Sequence, residues 1–430
     1  MKRKIGLAVT VMWMAVGSAQ DSLVLSIEEA IQYAIQHNKT LINSKYAIDK
    51  SEQKLKETIA QGLPQASASL DYTDYLGAET SLKLNPMAPP AVIKFNPTSY
   101  LKASVSQLIF SSSYYVGIQL SKLGKALTEQ SYQKDELNVK EQVIQSYYMI
   151  LASERIASII RENKANAMAI EEKTTHLANA GIIEQTDAKK LSVMVASVDN
   201  ALHATERQIE LGYNILRLQL GLDPQQPVKL ASRLDEIAEK YILHASLADT
   251  FDVQNNPDFR LLSMQEEMAR KTVDLKKTSY LPSIVAVYAH TEKIKKPIFD
   301  ITPKDLVAVT LNIPIFSSGQ RYTQVTQAKI DYKIAQNTKE LVKEQLTIQE
   351  KQLRYNYNNL LEQYMNQKHN VEIAREVLEK MKLKYQQGLI SSLELTSANN
   401  DYLTAESNYT SITLQLLNAE LALRKINNKL

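Results

Sequence analysis

No cysteine occurs among the 430 residues. That excludes disulfides, cysteine-ligated metals, thiol catalysis and acylation of an N-terminal cysteine, and it suits an oxidising, extracytoplasmic address. Glycine and proline are scarce, 11 and 12 residues, where average usage would supply roughly 30 and 21. Turns are therefore few and uninterrupted elements long. No stretch approaches 18 consecutive apolar residues, which predicts no membrane-spanning helix. A membrane location would then require a closed β-barrel. With 44% apolar and 23% charged residues, wholesale disorder is excluded.

The N-terminus is basic (Lys2, Arg3, Lys4), then apolar from Ile5 to Val16, then small at Gly17-Ser18-Ala19. This pattern predicts a secretory signal over residues 1–19, with Gln20 as the first mature residue. It carries three of the 50 Lys+Arg, none of the 47 Asp+Glu, and the only tryptophan, Trp13. What remains balances 47 against 47, so nothing in the charge favours nucleic acid.

Spacing between glycines and prolines marks where helices can run. Gly124 and Gly181 bracket 56 residues with neither, Gly319 and Gly388 bracket 68, and none follows Gly388. A 68-residue helix is about 100 Å long and needs a coiled coil or a helical barrel around it. Heptad rows supply it. Leu395, Tyr402, Tyr409, Leu416, Leu423 and Leu430 recur every seven residues, with Ala398, Ala405, Ile412, Ala419 and Ile426 three positions later. In the preceding segment Leu346, Leu353 and Leu360 form one row, and Leu341, Ile348 and Tyr355 another.

The chain is also one unit written twice. Gln36-His-Asn38 recurs as Gln254-Asn-Asn256, and Leu63-Pro64 as Leu281-Pro282. Ile109-Phe-Ser-Ser112 recurs as Ile315-Phe-Ser-Ser318, and Ala180-Gly-Ile-Ile183 as Gln387-Gly-Leu-Ile390. The predicted organisation is a signal over 1–19, a first repeat over 20–222, a linking segment over 223–256 and a second repeat over 257–430. In each repeat a first helix (about 26–60, then 257–279) precedes two strands, and a helical hairpin follows. Strands are predicted at about 66–76, 100–110, 283–292 and 304–316, and hairpins at about 113–220 and 319–428. The strands alternate: Val307, Val309, Leu311 and Ile313 face one way, Leu306, Ala308, Thr310 and Asn312 the other. Such strands suit either a half-buried hairpin or a barrel wall. Four cannot close a membrane barrel, so the barrel reading requires oligomerisation, and three copies would give twelve strands. The proline-bearing segment Asn85 to Pro97 and the basic cluster Lys293-Ile-Lys295-Lys296 are expected in the two hairpin loops.

Three stretches carry a family resemblance. They are Asn312-Ile-Pro314-Ile-Phe316-Ser-Ser-Gly319, Ser26-Ile-Glu-Glu-Ala30-Ile with Ala34 and Asn38, and Tyr385-Gln-Gln-Gly388-Leu-Ile-Ser-Ser-Leu-Glu394-Leu. In these, and in their duplicated order, the mature chain resembles the TolC-like outer-membrane efflux protein family. The resemblance implies a mainly α, internally duplicated protomer of long helical hairpins. Three protomers would form a periplasmic α-barrel capped by a twelve-stranded transmembrane β-barrel in outer-membrane lipid. It implies a homotrimeric passive exit duct of a tripartite efflux or type I secretion system, docking to a periplasmic adaptor (membrane fusion) protein and through it to an inner-membrane pump. Two departures stand out. No N-terminal cysteine is available for acylation, and Ser113 stands where the second copy has Gly319, with no proline before Phe110.

Within this frame Gly181, Ile182, Ile183, Gly388, Leu389 and Ile390 become candidate adaptor-docking tips. Their plain alternative is a left-handed helix end with apolar residues packing the hairpin. Asp187 and Glu394, each six residues past a tip glycine, are candidates for carboxylate rings at a pore mouth, with Tyr385 helping to close it. Ser391 and Glu394 equally spell a capping box, and Tyr385 a seam residue. The histidines at 37, 176, 203, 244, 290 and 369 show no ligand spacing, and there is no phosphate-binding glycine loop or nucleophile elbow. No metal, cofactor or catalytic residue is predicted, and no enzyme. The alternative from another class is a periplasmic coiled-coil adaptor or interaction protein with a soluble β-domain.

Overall fold

A computed structural model describes residues 23–83, 91–242, 251–297 and 300–430. The predicted signal over 1–19, the prolines at 86, 89 and 90, and His244 lie outside the described residues. In chain order the elements are β1 (Leu23–Leu25), α1 (Ile27–His37), α2 (Lys39–Ala60), β2 (Gln65–Thr73), β3 (Glu79–Leu82), β4 (Ala91–Lys94), β5 (Thr98–Ser111), α3 (Ser112–Asn179) and α4 (Gln185–Leu220). Then come β6 (Val228–Leu230), α5 (Leu234–Ile242), α6 (Pro257–Lys277), β7 (Ser283–Lys295), β8 (Asp305–Asn312), α7 (Gln320–Gln386) and α8 (Ser392–Ile426).

The duplication is explicit. Helices α3 and α7 have 68 and 67 residues, and their return helices α4 and α8 have 36 and 35. Helix α3 packs on α4 and α8, and α8 on α7, so the order across the protomer is α4, α3, α8, α7. One departure from the expected plan is local. The first helix, expected unbroken over 26–60, is two helices divided at Asn38, whose backbone is extended (φ −62°, ψ 124°). The asparagine side chain offers the N–H groups of Thr40 and Leu41 a cap, and that competes with continuing the helix.

The principal core lies at mid-height of the long helices. Tyr147, Tyr148 and Ile150 of α3, Leu216 and Leu220 of α4, Tyr357 of α7 and Leu416, Leu417 and Leu421 of α8 are buried there. Against them pack α1, α5 and the two-stranded parallel pair β1–β6. Tyr147 fastens this belt: its hydroxyl donates to the Leu25 carbonyl at 3.0 Å and accepts from the Ser232 N–H at 3.3 Å.

Four strands form one antiparallel sheet in the order β2-β5-β7-β8. Partners directly opposite share a face. Leu70 lies opposite Leu101, Val105 opposite Tyr288, Tyr288 opposite Val307, and Ile284 opposite Leu311. That face is mainly apolar, interrupted by Gln107, His290, Glu292 and Asp305, and apart from Ile284 the apolar side chains named stand exposed. The other face carries Ser67, Ser69, Lys102, Ser104 and Ser106, with a hydroxyl contact of 3.0 Å between Ser67 and Ser104. The basic cluster is not wholly in the loop. Lys293 and Lys295 belong to β7, and the Lys293 ammonium is buried on Asp300 and Thr302. Pairing its charge fixes the end of the strand; Lys295 lies over the Tyr72 ring, 5.3 Å from its centre.

The two strand-to-helix junctions differ as their sequences do. Ser111 is extended (φ −157°, ψ 118°) and β5 runs directly into α3. Pro314 follows the end of β8, and Ser318 (φ 47°) and Gly319 (φ 82°) turn the chain through left-handed backbone before α7.

Candidate functional site

The far ends of the two hairpins are built alike. At the first tip the Gly181 N–H donates to the Ala178 carbonyl and the Ile182 N–H to Leu177, both at 3.0 Å, with Gly181 at φ 73°. At the second, the Gly388 N–H donates to Tyr385 at 3.0 Å and the Leu389 N–H to Lys384 at 2.9 Å, with Gly388 at φ 72°. Both are Schellman closures, in which glycine takes the left-handed position and the last carbonyls are satisfied. The closure turns the next residue outward, and Ile182 and Leu389 are each 68% exposed. Ile183 and Ile390 are half-buried instead, Ile390 against the small cluster of Leu378, Leu395 and Ala398.

Glu394 is engaged in the cap. Its Oε2 accepts from the Ser391 N–H at 2.8 Å and the Ser391 hydroxyl at 2.9 Å, and its own N–H donates to Ser391 Oγ at 3.2 Å. These bonds hold its carboxyl below its ordinary pKa. Asp187, in the first turn of α4, faces Lys190 at 3.5 Å. The two acids are therefore differently occupied. Tyr385 is half-buried against the cluster of Leu378, Leu395 and Ala398, with Lys173 over its ring at 5.1 Å from the centre. It joins the first hairpin to the second just above the tips.

A second junction, higher up, has no counterpart among the candidates read from the sequence. Glu406 on α8 is only 1% exposed. Its Oε1 accepts from Arg375 of α7 at 3.0 Å and from the Tyr402 hydroxyl at 2.8 Å; its Oε2 lies 3.5 Å from Arg155 of α3. One buried carboxylate thus ties three helices. The available signal was its spacing: Glu406, Thr410, Thr413, Leu417 and Glu420 form a stripe at intervals of three and four beside the heptad rows. All five are buried, because α8 packs on both α7 and α3 and needs a core face wider than one seam.

Among the described residues no group of three or more His, Asp or Glu has metal-holding geometry, and no helix is long and apolar enough to cross a membrane. The chain is a set of long α-helical hairpins bearing a four-stranded antiparallel sheet.

Comparison with known proteins finds the same fold. Over 94% of its length the chain superposes on 93% of the channel protein CusC, with a TM-score of 0.75 at 14% identity. The Campylobacter jejuni CmeC outer membrane channel gives a TM-score of 0.73 at 16% identity, over 94% of this chain and 85% of that one. VceC, an outer membrane protein of Vibrio cholerae, gives 0.70 at 15%, over 93% and 95%. No curated protein sequence matches the chain. Residues 253–429, nearly the whole second repeat, match the outer membrane efflux protein family. The resemblance to the TolC-like outer-membrane efflux proteins is thereby supported by sequence over the second repeat and by fold over the whole chain.

Proposed function

We propose that this protein is the outer-membrane duct of a tripartite efflux or type I secretion machine, working as a homotrimer. Three copies of a four-stranded sheet make an even, twelve-stranded antiparallel wall. The observation that carries the reading is the sheet itself. It has two open edges, β2 and β8, and one largely apolar exposed face, interrupted by His290, Glu292 and Asp305. Open edges are completed by another strand or aggregate, and an exposed apolar face of this extent needs lipid or protein against it. A soluble periplasmic adaptor would have no use for either.

The helices support the same assembly. Leu341, Ile348 and Tyr355, one of the two expected seam rows of α7, are all exposed, whereas Leu346 and Leu360 of the other row are buried against the protomer. Val193, Leu211 and Leu218 of α4 are exposed as well. Because α7 and α4 are the two outer helices of the protomer, these rows are where neighbouring copies meet. The resulting tunnel extends the barrel by most of the length of α7, about 100 Å at 1.5 Å per residue.

At its periplasmic end the tips offer Ile182 and Leu389 to an adaptor, and Asp187 and Glu394 recur threefold around the mouth, with Tyr385 just above. Transport is passive: energy comes from the inner-membrane pump, and the duct supplies a continuous path. Photo-crosslinking in cells from a probe at Leu389 tests the docking. Capture of a periplasmic adaptor supports it. Recovery of uncrosslinked, heat-stable monomer from the soluble periplasm would overturn the reading.

A further inference from the structure

The loop between β8 and α7 has a feature the duct reading leaves unused. Ile315 is 91% exposed and Phe316 83% exposed. Two adjacent large apolar side chains held almost wholly outside the protein are costly in water. The equivalent pair in the first repeat, Ile109 and Phe110, lies within β5 and is less exposed. The difference is built by backbone: Pro314 follows the strand end, and Ser318 and Gly319 are left-handed, so the second copy projects its pair where the first lays it along the sheet.

The position of the loop identifies what covers it. Val307, Val309, Leu311 and Ile313 lie at alternate positions and are all exposed, and the loop continues directly from Ile313. It therefore prolongs the apolar face of the wall at the end where the helices begin. Exposed apolar or aromatic residues mark the other strand ends on that side: Leu63 before β2, Phe110 in β5, and Tyr280 and Leu281 before β7. Barrel proteins place such side chains at the level of the lipid headgroups, where an apolar body with adjacent polar backbone is most stable.

We infer that Ile315 and Phe316 form a projecting anchor that inserts into the periplasmic leaflet of the outer membrane and sets the height of the barrel in the bilayer. The inference rests on the outer-membrane reading above. The partner is a phospholipid surface; a second copy of the chain is the competing occupant, which the test distinguishes.

Since Trp13 is the only tryptophan, the background Trp13→Phe lets a single tryptophan report on one place. Two full-length variants are reconstituted in phosphatidylcholine vesicles with plain or brominated acyl chains: Phe316→Trp in the loop and Val309→Trp on the exposed face of β8. Ile315→Trp replaces the first if it does not assemble. The expected result is quenching of both, with the loop probe quenched at least about twofold more by bromine near the glycerol end than near the chain terminus, as an interfacial residue requires. Quenching of Val309→Trp without quenching of the loop probe overturns the anchor and leaves the barrel standing; blue-shifted emission would then place the loop against a second copy. If neither probe is quenched, the outer-membrane reading itself falls.

Discussion

Asn38 and Asn256 make the same two connections in the two halves of the molecule. Asn38 accepts from the N–H groups of Thr40 and Leu41 to cap α2, and its Nδ2 donates to the Gln219 carbonyl at the end of α4, 2.7 Å away. Asn256 accepts from Asp258 and Phe259 to cap α6, and its Nδ2 donates to the Ile426 carbonyl at the end of α8, 3.0 Å away. Each buried amide thus satisfies one helix start and one helix end, and closes its repeat where the return helix meets the first. Replacing either by alanine removes a cap worth about 1 kcal/mol and strands a carbonyl at a further cost of about 1–3 kcal/mol. Aspartate keeps the cap but not the donor, so Asn256→Asp should lose stability through the carbonyl alone. Chemical denaturation of the three variants checks the order.

The helix ends beside these asparagines are also paired. Gly221 (φ 73°) terminates α4 and Asn428 (φ 56°) terminates α8, each followed by an N–H that returns to an arginine carbonyl, Arg217 and Arg424, at 2.9 Å. A Cβ at Gly221 would fall on the backbone carbonyl of His37. Gly221→Ala therefore combines left-handed strain with a backbone clash and should cost about 3 kcal/mol or more. Asn428 is exposed, and Asn428→Gly should change stability by less than about 0.5 kcal/mol. Thermal melts of the two variants compare the sites directly.

Burial raises the Glu420 carboxyl to about 7, against a partial lowering by Arg424. Glu420 Oε2 and the hydroxyl of Tyr148 are both buried without partners. A carboxyl raised in the folded state holds an extra proton between its unfolded and folded pKa values. Stability contributed by the protonated acid is full below the unfolded value of 4.5 and falls as pH rises to about 7, beyond which this contribution is flat. The loss is roughly 3 kcal/mol at most. Glu420→Gln should remove this slope, read as melting temperature against pH in the wild type and the variant.

Glu406 joins α3, α7 and α8 at the upper junction. Glu406→Ala should destabilise by about 3 kcal/mol, because Arg155 and Arg375 lose a buried partner. Arg375→Ala should cost less, since its side chain is 59% exposed and water replaces the ion pair. A double-mutant cycle between positions 375 and 406 measures the coupling.

At the tips, Ile182→Glu and Leu389→Glu should leave trimer assembly intact and reduce adaptor capture several-fold, because each side chain is 68% exposed on the protomer. Heat-modifiable migration in gels reports the assembly, and crosslinking yield reports the docking. Loss of assembly would instead place these residues in the subunit interface.

Long helices were legible because they depend on local rules. Sparse glycine and proline set their length, and heptad rows set their faces. Strand faces were legible for a similar reason: a period of two survives any later pairing, so Val307, Val309 and Leu311 share a face whatever lies beside them. The break at Asn38 was less visible, since asparagine is tolerated inside helices and its capping role depends on a carbonyl 181 positions away. Glu406 was illegible as a junction because its partners, Arg155 and Arg375, come from different helices, and no spacing rule connects them. The two rows of α7 looked equivalent, yet Leu346 and Leu360 are buried while Leu341, Ile348 and Tyr355 are exposed. Which row meets its own protomer follows from the order α4, α3, α8, α7.

By itself, then, the sequence determined the duplication, the helix lengths, the glycine-closed tips and the two-faced strands. Each of these rests on interactions between residues a few positions apart. Tertiary structure alone decided which apolar rows close the protomer and which remain for neighbours. It also brought Arg155, Arg375 and Glu406 together, and made Ile315 and Phe316 project where Ile109 and Phe110 lie flat. These outcomes depend on how distant helices and strands are aligned, and alignment is set by the packing of whole surfaces.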